Sequence, residues 1–243
     1  MNSLRRLWDA IRSPRKFFWR LLRRDPRSYQ VLQARQDLLR IGTDYGGWVV
    51  PTRMLDANSI CYCFGCGEDI SFDLGLIDRF GCHVFGFDPT PRSAQYVRET
   101  TRGNAKYHFY EIGLWDQEGT VRFFAPKDPA HISHSALNLQ KTENYFSARV
   151  RQLSDIMRDN QHAGLDLLKI DIEGAEYRVI AAMLRDGIRP KIFCVEFHED
   201  PSDISKNTNN VRESVRSVVN AGYSLVAVRH RDNYTFVREA GNA

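Results

Sequence analysis

Residues 61–73 read CYCFGCGEDISFD, a stretch in which three cysteines surround the pair Gly65 and Gly67. Cysteines at this spacing could ligate a metal or form a redox pair, whereas the glycines could make the tight turn that follows a strand and holds a nucleotide-like cofactor. A four-cysteine zinc site needs two Cys-x-x-Cys pairs, and the chain has one, Cys63 with Cys66. The stretch therefore favours a strand, a cofactor turn and a helix start, with the cysteines as small packing residues.

The chain on either side of this stretch alternates between strand-like and helix-like segments. Apolar runs of strand length are separated by segments of helical periodicity, several of which end at glycine. Such alternation predicts a parallel, doubly wound α/β sheet with an antiparallel pair of strands at the C-terminal end. The predicted strands are 60–65, 83–90, 106–115, 120–126, 165–174, 191–199, 223–230 and 233–239, the predicted helices are 69–81, 91–102, 175–187 and 209–222, and 41–51 is a glycine-bearing turn with a short strand.

The composition is that of a globular domain with a basic N-terminal arm. Of the 243 residues, 42% are apolar and 26% are charged, and this length suits one α/β domain with an appendage. Residues 1–40 hold eleven Lys/Arg against three Asp/Glu, whereas the remainder holds 23 basic and 27 acidic residues. The body is therefore mildly acidic, and we expect no nucleic-acid partner.

The arm is predicted to be a basic amphipathic helical extension, residues 1–40, of a domain that spans residues 41–243. Apolar and aromatic side chains recur at helical spacing between arginines, and the last of the arm's helices is expected over 28–40. Such helices can bind an anionic membrane surface or a protein partner, here through residues 1–27, or pack against the body. The odd number of cysteines and the lack of a signal peptide or membrane-length apolar run predict a cytoplasmic protein, with any membrane contact at the inner face.

The carboxyl ends of the strands are where a sheet of this kind binds its ligands. Gly65 and Gly67 end one strand, and Asp88, 21 positions past the second glycine, ends the next, where a carboxylate can accept hydrogen bonds from both ribose hydroxyls. A dinucleotide fingerprint would need a third glycine where the chain has isoleucine. Glu68 and Asp69 would repel a pyrophosphate but would attract the sulfonium and ammonium of S-adenosylmethionine. The acidic loop therefore favours S-adenosylmethionine, and a nicotinamide-dependent oxidoreductase stays as the alternative.

Several segments resemble the FkbM-type S-adenosylmethionine-dependent methyltransferases. LLKIDIEGAE (167–176) is similar to the Lys-x-Asp-x-Glu-Gly-x-Glu signature of that family, and FGFDPTP (85–91) to its acidic-Pro-x-Pro segment. VRQLSDIM (150–157) and CVEFHE (194–199) resemble the segments that precede and follow the signature. YGGWVVP and FGCGEDISFD look like the methyltransferase-like branch of the family, so the resemblance covers residues 43–238.

One departure from the family pattern lies in the first loop. Members commonly show Asp-x-Gly-x-Asn/Gly-x-Gly there, but this chain has Cys63 at the acidic position and Asp69 at the third glycine. Glu68 or Asp69 could then hold the methionine ammonium in place of the missing acid. The departure also keeps open a second alternative, a non-catalytic scaffold that retains the fold and binds a partner through its arm.

The resemblance implies a class I methyltransferase fold, which is a Rossmann-like, seven-stranded and mostly parallel sheet with the cofactor over its first two strands. It implies O-methyl transfer to a hydroxyl of a glycan, glycolipid or natural product, although methylation of nitrogen stays open. The hydroxyl must lose its proton to a carboxylate or imidazole, and Asp171 and His198 follow adjacent predicted strands where such a group is needed. Lys169 and Glu173 are expected either to orient the base or acceptor or to form a structural ion pair. The predicted cofactor-binding residues are Gly65, Cys66, Gly67, Glu68, Asp69, Asp88, Pro89, Ile112 and Gly113.

The loop AHISHSALN (130–138) supplies the predicted acceptor-binding residues. The resemblance puts a Ser-rich segment that faces the active site here, so His131, His134 and Ser135 are expected to touch the acceptor, unless they belong to an ordinary surface loop. A metal could be held if His131 and His134 converged with Asp171 and His198. Since no tight ligand pair such as His-Glu-x-x-His is present, no metal is predicted.

Overall fold

The computed structural model describes residues 32–126, 134–138, 141–198, 204–230 and 232–239. Within these residues the chain forms twelve strands and five α-helices. The strands are β1 (Leu38–Ile41), β2 (Trp48–Pro51), β3 (Ile60–Phe64), β4 (His83–Phe87), β5 (Tyr107–Tyr110), β6 (Gly113–Leu114), β7 (Gly119–Phe124), β8 (Tyr145–Arg151), β9 (Leu167–Ile170), β10 (Ile192–Glu196), β11 (Ser224–Arg229) and β12 (Asn233–Val237). The helices are α1 (Ser71–Phe80), α2 (Pro91–Thr100), α3 (Leu153–Asp159), α4 (Glu176–Arg185) and α5 (Ile204–Asn220).

A seven-stranded sheet in the order β11-β12-β10-β9-β3-β4-β5 forms the centre of the molecule. The neighbours from β10 to β5 pair in parallel, whereas β12 is antiparallel to both β10 and β11. The predicted seven-stranded, mostly parallel α/β sheet is confirmed. The strand order reverses between β3 and β9, so a ligand crevice is expected above their carboxyl ends.

The alternation of side chains along β3 builds a core on each face of the sheet. Cys61 and Cys63 point toward α1 and α2, and Tyr62 and Phe64 point toward α3, α4 and α5. All five cysteines are buried and free, which confirms their role as packing residues. Both faces are covered, as a parallel sheet requires.

The helix predicted for 28–40 is wrong over the part that the structure describes. Residues 32–37 form no helix, and Leu38–Ile41 is strand β1, which pairs antiparallel with β2. Tertiary contacts override the helical periodicity here, because Ile41 is buried in the core cluster that also contains residues of α1. Residues 1–31, which hold the rest of the predicted helical arm, lie outside the described residues.

A small second sheet, in the order β6-β8-β7, lies beside the central one. The single strand predicted over 106–115 is in fact two, β5 in the central sheet and β6 in the small sheet. Strand β8 and helix α3 have no counterpart among the predicted elements. No helix among the described residues is both long and apolar enough to cross a membrane.

Candidate active site

A cavity of about 350 Å³ opens above the carboxyl ends of the central strands. It is lined by all nine predicted cofactor-binding residues, by the four predicted catalytic residues and by His134. Residues that are more than a hundred positions apart in sequence therefore face one space. The cavity lies at the reversal of strand order, where sheets of this class bind their ligands.

The loop after β3 is built on a glycine that no other residue could replace without rearrangement. Gly65 has a φ of +80°, and a Cβ at this position would lie 1.8 Å from the carbonyl oxygen of Asp171. Its N–H donates a hydrogen bond to the carbonyl oxygen of Phe87 at 2.9 Å. The loop is thereby attached to the ends of both neighbouring strands, β9 and β4.

Asp88, the predicted ribose-binding carboxylate, is 5% exposed and bridges two loops. One carboxylate oxygen accepts a hydrogen bond from the Gly67 N–H at 3.0 Å, and the other accepts one from the Thr90 N–H at 2.8 Å. Because each carboxylate oxygen has two lone pairs, acceptor capacity remains for a ligand in the cavity. These contacts fix the orientation of Asp88 relative to the glycine loop.

The two acids of the loop have different partners. Glu68 makes a bidentate pair with Arg92, at 2.6 and 2.8 Å, on the protein surface. Asp69 accepts hydrogen bonds from the Ser71 N–H and from the hydroxyl of Thr43. Burial by itself would raise the pKa of Asp69, but these hydrogen bonds outweigh it and lower the pKa. Asp69 is therefore the better fixed negative charge for a cationic ligand group.

Lys169 lies beneath the loop and is 7% exposed. Its ammonium group donates to the carbonyl oxygen of Gly65 at 2.5 Å and lies 3.4 Å from the Asp171 carboxylate. Burial alone would lower the pKa of Lys169, but the negative charges of Asp171 and the buried Asp73 outweigh it and raise the pKa. The lysine therefore stays charged and connects the glycine loop to the end of β9.

His198 lies in the cavity beside the end of β10, in a ring of four carboxylates. Its Nδ1 is 2.8 Å from Glu176, and its Nε2 lies 3.4 Å from Glu173, 3.8 Å from Asp171 and 3.9 Å from Glu196. Burial would lower the pKa of His198, but these acids, with Glu176 first among them, raise it well above the usual value. The side chain is therefore an imidazolium whose orientation Glu176 fixes.

Glu173 and Ser135 meet at the edge of this ring. Glu173 adopts a left-handed backbone conformation, with a φ of +57°, that non-glycine residues rarely take up. The Ser135 hydroxyl donates a hydrogen bond to the Glu173 carbonyl oxygen at 2.7 Å. Ser135 itself is 6% exposed and does not line the cavity, whereas His134 lines it, with its ring 5.1 Å from that of Phe146. The third predicted acceptor residue, His131, lies outside the described residues.

Sequence reasoning missed four residues of this site. Glu176 and Glu196 occur in the quoted signature and in CVEFHE, and Tyr45 occurs in YGGWVVP, so the resemblance could have drawn attention to them. Asp232 lines the cavity from the turn before β12, and no local pattern marks it. Tyr45 is 81% exposed and lines the mouth of the cavity.

Three side chains of this ring lie close enough together to hold a cation. Ligand atoms of Asp171, Glu196 and His198 all lie within 4.8 Å of one another. Oxygen and imidazole donors in this number suit a divalent ion such as Mg²⁺ or Mn²⁺. Compared with the set considered from the sequence (His131, His134, Asp171 and His198), this set adds Glu196 and leaves out His134, and His131 lies outside the described residues.

Comparisons with known proteins agree with this geometry. The family model described as the methyltransferase FkbM domain matches residues 64–225. The rat protein called "Probable methyltransferase-like protein 24" is 26% identical over 178 residues, which cover 71% of this chain and 40% of the relative. The human protein of that name is 26% identical over 170 residues, 68% of this chain and 38% of the relative. The chain thus spans less than half of the length of these relatives.

A solved structure shares the fold. The crystal structure of the methyltransferase FkbM from Methylobacillus flagellatus KT superimposes with a TM-score of 0.50 at 15% identity, covering 87% of this chain and 50% of that one. The fold is that of a class I methyltransferase, as the sequence predicts. The family model covers the glycine loop, the Lys-x-Asp-x-Glu signature and the carboxylates around His198, together with strands β4 to β10. The chain therefore belongs to the FkbM methyltransferase family.

Proposed function

We propose that the chain is an S-adenosylmethionine-dependent O-methyltransferase that modifies a hydroxyl of a glycan, glycolipid or natural product. One observation carries the proposal: a single cavity brings the glycine loop and Asp88 together with the carboxylate ring around His198. The first set suits an adenosine-containing cofactor, and the second suits removal of a proton from an acceptor.

The cofactor end of the cavity has the charge that a methyl donor of this type needs. S-adenosylmethionine supplies a methyl group on a positively charged sulfur and also carries an ammonium group. Asp88 is oriented to accept hydrogen bonds from ribose hydroxyls, and Asp69 offers a fixed carboxylate to the ammonium. The same acids would repel a pyrophosphate, which argues against the oxidoreductase alternative.

The acceptor end is polar and has an aromatic residue at its mouth. Asp171, His198 and Lys169 can hold a hydroxyl in line with the sulfur, and such alignment supplies a large part of the rate in methyl transfer. The exposed ring of Tyr45 offers an apolar face and a hydroxyl, a combination that suits the face of a sugar. This is the support for a hydroxylated, glycan-like acceptor.

Calorimetry of the full chain with S-adenosylmethionine and, separately, with NAD tests the cofactor. We expect binding of the first at one site and none of the second, and we expect Asp88→Asn to weaken binding by roughly tenfold, as for the loss of about 1.4 kcal/mol of hydrogen bonding. Glu213→Asn on the exposed face of α5 is the matched control. Binding of NAD alone would support the oxidoreductase, and binding of neither cofactor would support a scaffold.

Incubation with tritiated S-adenosylmethionine and fractionated cell extract tests the acceptor. We expect label in a fraction that contains hydroxylated glycans, glycolipids or natural products, as a methyl ether that is stable to mild base. Label that enters only amines or proteins would contradict O-methylation of this acceptor class.

We further propose that the basic arm attaches the enzyme to an anionic membrane surface. The support is the excess of arginine and lysine with aromatic residues in 1–27. Flotation with vesicles of phosphatidylglycerol and phosphatidylcholine should recover the full chain but not a variant that lacks residues 1–27, and added salt should reduce recovery. Equal recovery of both would contradict the proposal.

A further inference from the structure

The turn over residues 43–47 connects β1 to β2, and part of it lines the cavity. Two hydrogen bonds to Thr43 close this turn. The Thr43 carbonyl oxygen accepts one from the Gly47 N–H at 3.0 Å, and its hydroxyl oxygen accepts one from the Gly46 N–H at 3.0 Å. Tyr45 lies at the tip of the turn, so these bonds determine where its backbone stands.

The turn is attached to the loop after β3 through Asp69. The Thr43 hydroxyl donates a hydrogen bond to the Asp69 carboxylate, and the Thr43 N–H donates one to the Ser71 hydroxyl oxygen at 2.8 Å. A Cβ at Gly46 would lie 2.7 Å from the carboxylate carbon of Asp69, so the absence of a side chain lets the turn approach this closely. The carboxylate proposed to hold the ammonium of the cofactor therefore also holds the turn.

Strand β2 fixes the other end of the turn. Trp48, the first residue of β2, is buried, and its ring centroid lies 6.5 Å from that of Phe72 on α1. Trp48 also pairs with Ile41, the last residue of β1, which brings the two ends of the turn together. The position of the turn is therefore set by the protein and does not depend on a ligand.

Tyr45 is the uncovered side chain of this fixed turn. It is more exposed than any other large apolar side chain among the described residues. The carboxylates of Asp171, Glu173 and Glu196 lie within electrostatic range of its hydroxyl, so the side chain is on the same side of the cavity as the acids around His198. A tyrosine loses little conformational entropy when a ligand covers it, because only two side-chain torsions are fixed. This position suits a contact with the acceptor.

We infer that Tyr45 contacts the acceptor and that Thr43 is the positioning residue that holds it there, an inference that rests on the proposed methyl transfer to a hydroxyl. The phenol ring suits an acceptor whose ring has an apolar face, such as a sugar ring. Neither residue takes part in making or breaking bonds. Thr43 acts through Tyr45, since its own hydroxyl is engaged by Asp69 and Gly46.

The dependence of the rate on the amount of acceptor is the test, with saturating tritiated S-adenosylmethionine and the extract fraction that takes up label as the probe. Tyr45→Ala should raise the amount of fraction needed for the half-maximal rate by roughly three- to tenfold, with the maximal rate and the affinity for S-adenosylmethionine changed by less than twofold. Tyr45→Phe, which keeps the ring, should change that amount by less than twofold. Tyr145→Ala is the matched control, because Tyr145 is an exposed tyrosine on β8 that does not line the cavity.

A second variant tests the positioning role. Thr43→Val keeps the shape of the side chain but removes the hydroxyl that joins the turn to Asp69. It should raise the half-maximal amount of fraction by roughly twofold or more. The double variant of Thr43→Val with Tyr45→Ala should need no more fraction than Tyr45→Ala alone, because both changes act on the same contact.

Three results would overturn the inference. A rate curve for Tyr45→Ala that matches that of Tyr145→Ala would remove the contact with the acceptor. A parallel loss of affinity for S-adenosylmethionine in Tyr45→Ala would make Tyr45 part of the cofactor site, and additive effects in the double variant would remove the positioning role of Thr43. An unmodified chain that binds S-adenosylmethionine but labels no fraction would overturn the proposed function, and this inference with it, before any variant is compared.

Discussion

The two edges of the central sheet both carry histidine, in opposite surroundings. At the carboxyl edge, His198 lies among carboxylates, with Glu176 at 2.8 Å, and these acids raise its pKa in spite of burial. At the amino edge, His83 and His108 stack with ring centroids 5.6 Å apart, and His162 contacts the Tyr62 hydroxyl at 2.8 Å.

Two histidines of the amino edge, His108 and His162, have pKa values shifted in the opposite direction. Burial, and then the neighbouring His83, lower the pKa of His108, and burial, then His108 and His83, lower that of His162. Here the rings pack as neutral aromatic groups, with His108 stacked on Phe85 at 4.5 Å. The comparison shows that the carboxyl edge holds a buried imidazolium among acids beside the cavity, whereas the amino edge packs histidine rings that burial keeps neutral.

Removing the carboxylate that holds the imidazolium should have the largest effect on stability. Glu176→Ala leaves His198 without its strongest partner at a fully buried position, so we expect a loss of about 3–5 kcal/mol of unfolding free energy. Urea denaturation at pH 7 measures it. Glu176→Gln, which keeps the shape, should lose less, and a loss below about 1 kcal/mol in Glu176→Ala would show that the charge at this edge is not held as described.

Replacement of Gly65 by alanine should cause the second-largest loss of stability. Gly65→Ala must move the Asp171 carbonyl and adopt a positive φ, so we expect a loss of about 2–3 kcal/mol and cofactor binding weakened by about tenfold or more. Gly103→Ala is the matched control, because Gly103 has a φ of +83° and nothing within 4 Å of its added Cβ. It should lose only about 1 kcal/mol and bind the cofactor normally. Equal losses in the two variants would refute the clash.

The amino edge should make stability sensitive to acid. Because the folded-state pKa values of His108 and His162 are lowered, the unfolded chain binds more protons below about pH 6.5, and their contribution to stability is lost as the pH falls. His198 works in the opposite sense, since its raised pKa contributes stability that is lost only as the pH rises through that value. We expect His108→Phe to reduce the fall in unfolding free energy between pH 7.5 and 5.5 by less than about 1 kcal/mol, because solvent screens the partly buried ring. An unchanged slope would contradict the neutral packing of this cluster.

The ion pair of Arg92 and Glu68 on the surface of the carboxyl edge should contribute least to the unfolding free energy. Arg92 and Glu68 are 56% and 34% exposed, so Arg92→Ala should change the unfolding free energy by less than about 1 kcal/mol, and less still in high salt. A larger loss, seen in urea denaturation at two salt concentrations, would mean that this pair supports the glycine loop.

The sequence predicts most of the central sheet because its strands are long apolar runs between glycine-terminated helices. It misses β8, although the alternation of apolar and polar residues in YFSARVR is the local pattern of a half-buried strand. It also fails for β1, which is a strand because it pairs with β2 and not because of its own composition. Local patterns could not show the pairing that makes β1 a strand.

The sequence predicts the site residues that come directly after a strand, but not those that come together only in the folded chain. Asp171 and His198 follow directly from the positions of β9 and β10. Glu176 and Glu196 read as a helix start and a strand residue, and their importance appears only when β9, β10 and α4 bring the acids around one imidazole. Burial and the charge of Asp171 raise the pKa of Glu196, which is a property of that assembly and of no local segment.

Methyl transfer should depend on the carboxyl edge alone, and two aspartates that flank the same strand test this. Asp171 follows β9 in the cavity, whereas Asp166 precedes β9 at the amino edge, where it accepts the Ile60 N–H at 2.8 Å and pairs with Lys191 at 2.6 Å. The measurement is tritiated methyl transfer per folded molecule. We predict that Asp171→Ala abolishes transfer and that Asp166→Ala, though less stable, retains it. Unchanged turnover in Asp171→Ala would contradict a catalytic role for the carboxyl edge.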